Sequence, residues 1–214
     1  MKGSIDTNRI KLTEETVYDL EYIYSRLQKE FAAEELKNPT QFEKLMAGNR
    51  YKLFIAGDSI TDQIIGYAFV YEIADPKALW LDYLMIEKEF QGSGCGSILF
   101  NKIAALSPGI IGVFSEVEIP DSQDKICADL QQRRIRFYER LGAKKLSIDY
   151  CLPTYDSGLP MFLYFRPSPS VRHITGHQIK KAVGSVFDYI HSDIKHKDRI
   201  LENCISFVAD EVFH

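Results

Sequence analysis

The stretch best suited to chemistry in this chain is Gln91-Gly92-Ser93-Gly94-Cys95-Gly96. It follows a mostly apolar and aromatic run, residues 79–90, and opens a helix-like segment over residues 97–106. A glycine-dense turn at that junction leaves successive backbone N–H groups free to converge on one object. At the positive end of a helix dipole, such a set suits a phosphate or pyrophosphate. A Walker loop would close on Gly-Lys-Ser/Thr, and no lysine stands there. A dinucleotide fingerprint needs Gly-x-Gly-x-x-Gly, and the gap from Gly94 to Gly96 is too short for it. On the loop alone, a tight strand-to-helix turn without a ligand and a phosphate-ligand site of another kind both stay open.

A second landmark lies downstream. Arg136-Phe137-Tyr138-Glu139-Arg140-Leu141-Gly142-Ala143 reads as the end of an amphipathic helix. Ile135, Tyr138 and Leu141 share a face at three-residue spacing, and Gly142 is placed to cap the C-terminus. The pair Gln-x-x-Gly-x-Gly and Tyr-x-x-x-Gly, in this order, resembles motifs A and B of the GNAT superfamily, the acyl-CoA-dependent N-acetyltransferases. The resemblance covers roughly residues 7–166. Four positions depart from it: Lys88 replaces a proline, Gln131 an asparagine, Ala143 an aromatic residue, and Trp80 a glutamate.

The resemblance implies an α/β fold with a central mixed, mostly antiparallel sheet whose strands four and five splay apart, flanked by helices. It implies acetyl-CoA as the acyl donor, with coenzyme A as product, and a small-molecule amine or peptide amine as acceptor. Gln91, Gly92, Ser93, Gly94, Cys95, Gly96 and Ser97 would hold the cofactor phosphates. Main-chain groups of Leu84, Met85 and Ile86 would bond the pantetheine arm. Tyr138 would stand near the sulfur as general acid; a phenol with a pKa of about 10 is protonated at neutral pH. A helix tyrosine packed in the core is the blander alternative.

A base is needed as well, because a free alkyl amine has a pKa of about 10.4. Glu116 and Glu118 stand two apart on a strand-like segment, residues 111–119, and so share a face. Two carboxylates there are costly to bury without a purpose; a solvated edge is the competing reading. Glu118 is the first choice for the base, with Glu116 beside it. Asp82, Tyr83 and Trp80 on the preceding strand are candidates for the acceptor side. Trp80 holds the position of a familiar glutamate base and cannot serve as one. Arg133, Arg134 and Arg136 could meet phosphates or an acidic group, although a solvated basic face explains Arg133 and Arg134 slightly better. A catalytically idle acyl-CoA-binding or sensor module with the same fold is the second functional reading.

The elements that must position these residues read in mixed α/β order. Strands are expected over residues 9–12, 51–56, 64–73, 79–86, 111–119, 145–152 and 161–165. Helices are expected over 13–26, with Thr13 as N-cap, and over 31–47, broken at Asn38-Pro39. Pro167-Ser168-Pro169-Ser170 reads as a linker. Beyond it, residues 174–190 and 194–213 both show helical spacing. The chain therefore divides into a domain over 1–166 and a C-terminal helical extension over 167–214, which packs on the domain or on a partner chain, leaving a homodimer possible.

Composition fits. The 214 residues carry 26 Lys+Arg against 30 Asp+Glu, a formal net charge of −4, which speaks against nucleic acid as the main partner. No apolar run approaches the ~20 residues that cross a bilayer, so no membrane role is expected. The segment Met1 to Lys11 is polar and lacks a signal-peptide core. The four cysteines have no metal-ligand spacing. They read as free thiols of a cytoplasmic protein, and no metal is expected. His173, His177, His191, His196 and His214 crowd the last part of the chain without a metal signature.

Overall fold

The computed structural model describes residues 7–16, 19–121 and 123–213. The polar segment up to Asp6, residues 17 and 18 of the first expected helix, residue 122 and His214 lie outside these. The described residues form six α-helices, short 3-10 turns, and an eight-stranded mixed sheet beside a two-stranded one. The strands of the large sheet are β1 (Ile10–Glu15), β2 (Tyr51–Asp58), β3 (Ile64–Ile73), β4 (Ala78–Ile86), β5 (Gly112–Glu118), β6 (Lys144–Lys145), β7 (Cys151–Pro153) and β8 (Gly158–Pro167). Their order is β1-β2-β3-β4-β5-β8-β6, with β7 on β8. β4 and β5 run parallel, while β1–β2, β2–β3, β5–β8, β6–β8 and β7–β8 pair antiparallel. The chain falls into two units, residues 1–71 with 81–108 and residues 72–80 with 109–214, so that β4 contributes to both.

In the first unit, β1 extends to Glu15, with Thr13 opposite Ile55. The first helix, α1, therefore spans Leu20–Glu30, and its N-cap is Asp19, whose carboxylate accepts from the Tyr22 amide at 2.9 Å. Thr13 had the right side chain for a cap, but cross-strand pairing keeps it extended. Helix α2 is confined to Pro39–Met46, with Asn38 as cap and Pro39 in the first turn, where its missing N–H costs nothing. It buries Phe42, which meets Phe69 edge-on at 4.9 Å and Tyr51 at 6.1 Å. Burying a ring of this size contributes about 2–3 kcal/mol. Arg9 closes the β1–β2 edge with a fork onto Asp58, at 2.8 and 2.7 Å. Helix α3 (Cys95–Ala104) follows the glycine loop and buries Leu99, Phe100 and Ile103.

In the second unit, helix α4 (Lys125–Arg140) starts at Asp124, which accepts from the Ile126 and Cys127 amides. The strand expected over 145–152 is split into β6 and β7. β8 runs longer than its expected core, Met161 to Phe165. Pro167 belongs to β8, and Ser168 bonds the carbonyls of Ile110 and Ile111, so the Pro-Ser-Pro-Ser segment is fastened down and is no free linker. Helix α5 (Gly176–Tyr189) opens with a capping box of Thr175 and Gln178. Its buried residues Ile179, Ala182, Val183, Val186 and Phe187 recur at the three- and four-residue spacing of one helix face. The last expected helix is shorter than its periodicity suggested. α6 covers Lys197–Ile205, and the chain then turns so that β10 (Glu211–Val212) pairs with β9 (His173–Ile174).

Candidate functional site

The glycine loop sits in the first unit, where β4 hands over to α3 through a short turn at Lys88–Phe90. Gly92 and Gly94 take left-handed φ values of 76° and 89°. Gly94 is the N-cap of α3, and no side chain caps that helix. Among the described residues, no acceptor meets the amides of Gly92, Gly94, Cys95 and Gly96. A helix always leaves its first amides open; here the two positive-φ glycines add further open donors ahead of the helix. Gln91 turns its side chain back and donates to the Ile86 carbonyl at 3.0 Å. The Ser93 hydroxyl donates to the Phe90 carbonyl and lies 3.2 Å from the Cys95 sulfur. Cys95 is buried. Gln91 and Ser93 thus brace the turn with their side chains, which leaves ligand contact to the main chain. Ser97 stays on the first turn, its amide bonded to the Gly94 carbonyl at 3.0 Å.

Along β4, Leu84 and Ile86 are half-buried and Met85 is buried. Asp82 and Tyr83, expected on an acceptor surface, lie in an inward network. The Asp82 carboxylate takes Lys37 Nζ at 2.8 Å and the hydroxyl of Tyr51. The Tyr83 hydroxyl donates to the Glu35 carbonyl at 2.8 Å and accepts from Lys37 Nζ at 3.2 Å. Burial holds the Tyr83 phenol above its ordinary pKa. Lys37 and Asp82 side chains are 7% and 2% exposed, so this is a buried ion pair satisfied by two tyrosines. Lys37, 45 residues from Asp82 in sequence, gave no signal before folding.

The second unit gathers Tyr138, Glu116 and Glu118, which the sequence singled out separately. Tyr138, on α4, packs against the core of Val117, Ile135, Ala143 and Tyr164 and stacks on Tyr164 at 6.3 Å. Its phenol is pushed up to about 12, first by burial; the charge of Arg134 pulls it down, while Glu118 and Glu116 raise it. It holds its proton at neutral pH. Glu118 pairs with Arg134 of α4, whose side chain remains 41% exposed. Glu116 accepts from the hydroxyl of Tyr150. Trp80, at the start of β4 and within this unit, is fully buried, stacked on Phe114 at 5.6 Å and tilted to Tyr150 at 6.0 Å. Among the described residues its indole N–H has no hydrogen-bond partner. Arg134 and Tyr150 were missed as members of the group. Their partners lie 16 and 34 residues away, beyond any local periodicity.

Among the described residues no group of three or more His, Cys, Asp or Glu could hold a metal ion, and no helix is long and apolar enough to cross a membrane.

Residues 49–142 match the family model of the acetyltransferase (GNAT) domain. Among solved structures, the chain is similar to a putative GNAT-family acetyltransferase from Bacteroides thetaiotaomicron. The identity is 18% and the TM-score 0.66, covering 84% of this chain and 97% of that one. It is similar to Arabidopsis thaliana NAA60 in complex with acetyl-CoA at 14% identity and a TM-score of 0.55, covering 73% and 97%. A chimera of the spermidine N-acetyltransferase SpeG from Vibrio cholerae and hSSAT gives 14% identity and a TM-score of 0.54, covering 82% and 99%. No curated protein matches the chain.

Proposed function

From the GNAT acetyltransferase domain that residues 49–142 carry, we propose that the protein moves an acetyl group from acetyl-CoA to a primary amine by direct attack in a ternary complex. One observation carries the cofactor half: open main-chain donors at Gly92, Gly94, Cys95 and Gly96, at a helix start that no side chain caps. They suit the pyrophosphate of coenzyme A. Main-chain groups of Leu84, Met85 and Ile86 would receive the pantetheine amides. Residues 1–166 form the acetyltransferase domain in this reading, and residues 167–214 a helical extension.

The chemistry then follows from the side chains. The neutral amine nitrogen attacks the thioester carbonyl carbon and forms the C–N bond. The C–S bond breaks, and the sulfur leaves as thiolate. Tyr138, protonated at neutral pH, gives that thiolate its proton. The amine's surplus proton goes to a carboxylate of the Glu116–Glu118 pair. Asp82, Tyr83 and Trp80 are the residues this reading assigns to the acceptor side.

Calorimetry with CoA, ATP and NAD tests the cofactor half: CoA should bind and the other two should not. Mass spectrometry after incubation with acetyl-CoA and spermidine, or with a peptide bearing a free N-terminal amine, tests transfer. A gain of about 42 Da on the amine supports the proposal. Tyr138→Phe and Glu118→Gln should each slow transfer by about 10- to 1,000-fold while CoA still binds. Binding of CoA without acetylation of any amine would favour an idle acyl-CoA-binding module.

A further inference from the structure

Two of the four cysteines come together in the second unit. Cys151 opens β7, and Cys204 stands near the end of α6, 53 residues on. Both are free thiols; Cys204 is buried and Cys151 half-buried. The Cys204 sulfur lies 3.9 Å from the carbonyl oxygen of Cys151. The Cys151 sulfur fills the space beside Gly158 on β8, where an added Cβ would come within 2.5 Å of it and 3.6 Å of Ile200 Cδ1. Ile200 and Cys204 are four residues apart and so share a face of α6. The two thiols thus stand at one contact between the β7–β8 pair and α6, near enough that charge on Cys151 opposes charge on Cys204. Burial pushes the Cys204 thiol up to about 11 and the Cys151 thiol up as well.

We propose that Cys151 and Cys204 form a site of oxidative modification, at which a hydroperoxide joins β7 to α6 through a reversible disulfide. Cys151 reacts first, because it is the more exposed of the two, and a hydroperoxide is small enough for a half-buried sulfur. The Cys151 thiolate attacks a peroxide oxygen. The O–O bond breaks, a sulfenic acid forms, and the displaced oxygen takes the thiol's proton and leaves as water or an alcohol. The Cys204 thiolate then attacks the Cys151 sulfur. The S–O bond breaks, the S–S bond forms, and the hydroxyl leaves as water with the second proton. Two thiols are oxidised and one hydroperoxide is reduced. Each sulfur turns on a single side-chain torsion, so the Cys204 sulfur moves from the carbonyl of Cys151 to the sulfur of the same residue. Scarce thiolate makes the pair slow to react, which suits it to a sustained peroxide load rather than a brief one. No step depends on acetyl transfer.

The test is oxidation of the folded, full-length protein with hydrogen peroxide, followed by alkylation of the remaining thiols and digestion without reductant. Mass spectrometry should find the peptides bearing Cys151 and Cys204 joined, about 2 Da lighter than their sum. A cross-link over so long a span restricts the unfolded chain, so the melting temperature should rise by about 5–10 °C and fall back on adding dithiothreitol. In Cys204→Ala, which keeps a small apolar group at the buried position, Cys151 should advance to the sulfinic acid and the melting temperature should not rise. In Cys151→Ser, Cys204 should stay reduced; its oxidation there would overturn the order of the two steps. Wild-type protein that gives Cys151 sulfinic acid and no joined peptide overturns the proposal, as does a disulfide to Cys95 or Cys127 in its place. A joined peptide without a rise in melting temperature also overturns it, because the bond would then form at the expense of the native contact between β7 and α6.

Discussion

Replacing Gly94 by alanine should weaken coenzyme A binding far more than an equally strained glycine elsewhere. Gly94 has φ 89° and ψ −7°, and a Cβ built on it meets nothing within 4 Å. The substitution therefore adds no clash; its cost is the left-handed conformation itself, about 1–2 kcal/mol. The chain can relieve that strain only by rotating the turn, which disperses the amides of Gly92, Gly94, Cys95 and Gly96. A hydrogen bond to a charged group contributes about 1.5–3 kcal/mol, so losing one weakens binding by roughly 10- to 100-fold. Gly109→Ala is the matched control. Its φ is 75°, its added Cβ lies 4.0 Å from Lys77 Nζ, and it has no part in the loop. Urea denaturation should give similar losses for both variants, and calorimetry should separate them, with CoA affinity reduced in Gly94→Ala alone. Equal CoA affinity in the two variants would refute the reasoning, because the phosphates would then owe nothing to the backbone geometry of this turn.

Lys37→Met should destabilise the protein by about 3–5 kcal/mol, since it strands the buried Asp82 charge. The double variant Lys37→Met with Asp82→Leu should recover much of that loss in urea denaturation; a single-variant loss below about 1 kcal/mol would contradict the buried-pair description. Stability should also fall at alkaline pH. Burial pushes Tyr138 and Tyr164 up to about 12 and holds Tyr67 and Tyr83 above their ordinary value. Phenols of the unfolded chain ionise near ~10, so above that pH the unfolded state binds fewer protons than the folded one and the unfolding free energy declines. Melting temperature should be flat from pH 7 to 9 and drop by pH 11, less steeply in Tyr138→Phe; a flat profile to pH 11 would rule this out.

The strands β2 to β4 were legible because long apolar runs ended at Gly57-Asp58 and Asp75-Pro76, where turns were plain. The glycine loop was legible because its signal is local: six consecutive residues set both the turn and the donor array. The helix start at Asp19 was not, because Thr13 and Asp19 are both good caps, and only the pairing of β1 with β2 decides between them. The end of α6 escaped for a similar reason. Val208 and Val212 keep helical spacing, but pairing of Glu211 and Val212 with β9 draws the chain straight. Glu116, Glu118 and Tyr138 could be named one by one. Their grouping depends on Tyr150 and Arg134, and Asp82 turned out to face Lys37; in each case the partner is set by tertiary packing and leaves no periodic trace.

The pairing of β9 with β10 stitches Ile174 to Glu211, and Asp210 adds a second stitch by accepting from the Gly176 amide at 2.7 Å. The segment between them, with α5 and α6, is thereby drawn shut like a purse. A protease that nicks the exposed turn at Lys195 would cut the chain without releasing a piece. Two fragments should run apart on a denaturing gel yet elute as one species from a sizing column under native conditions.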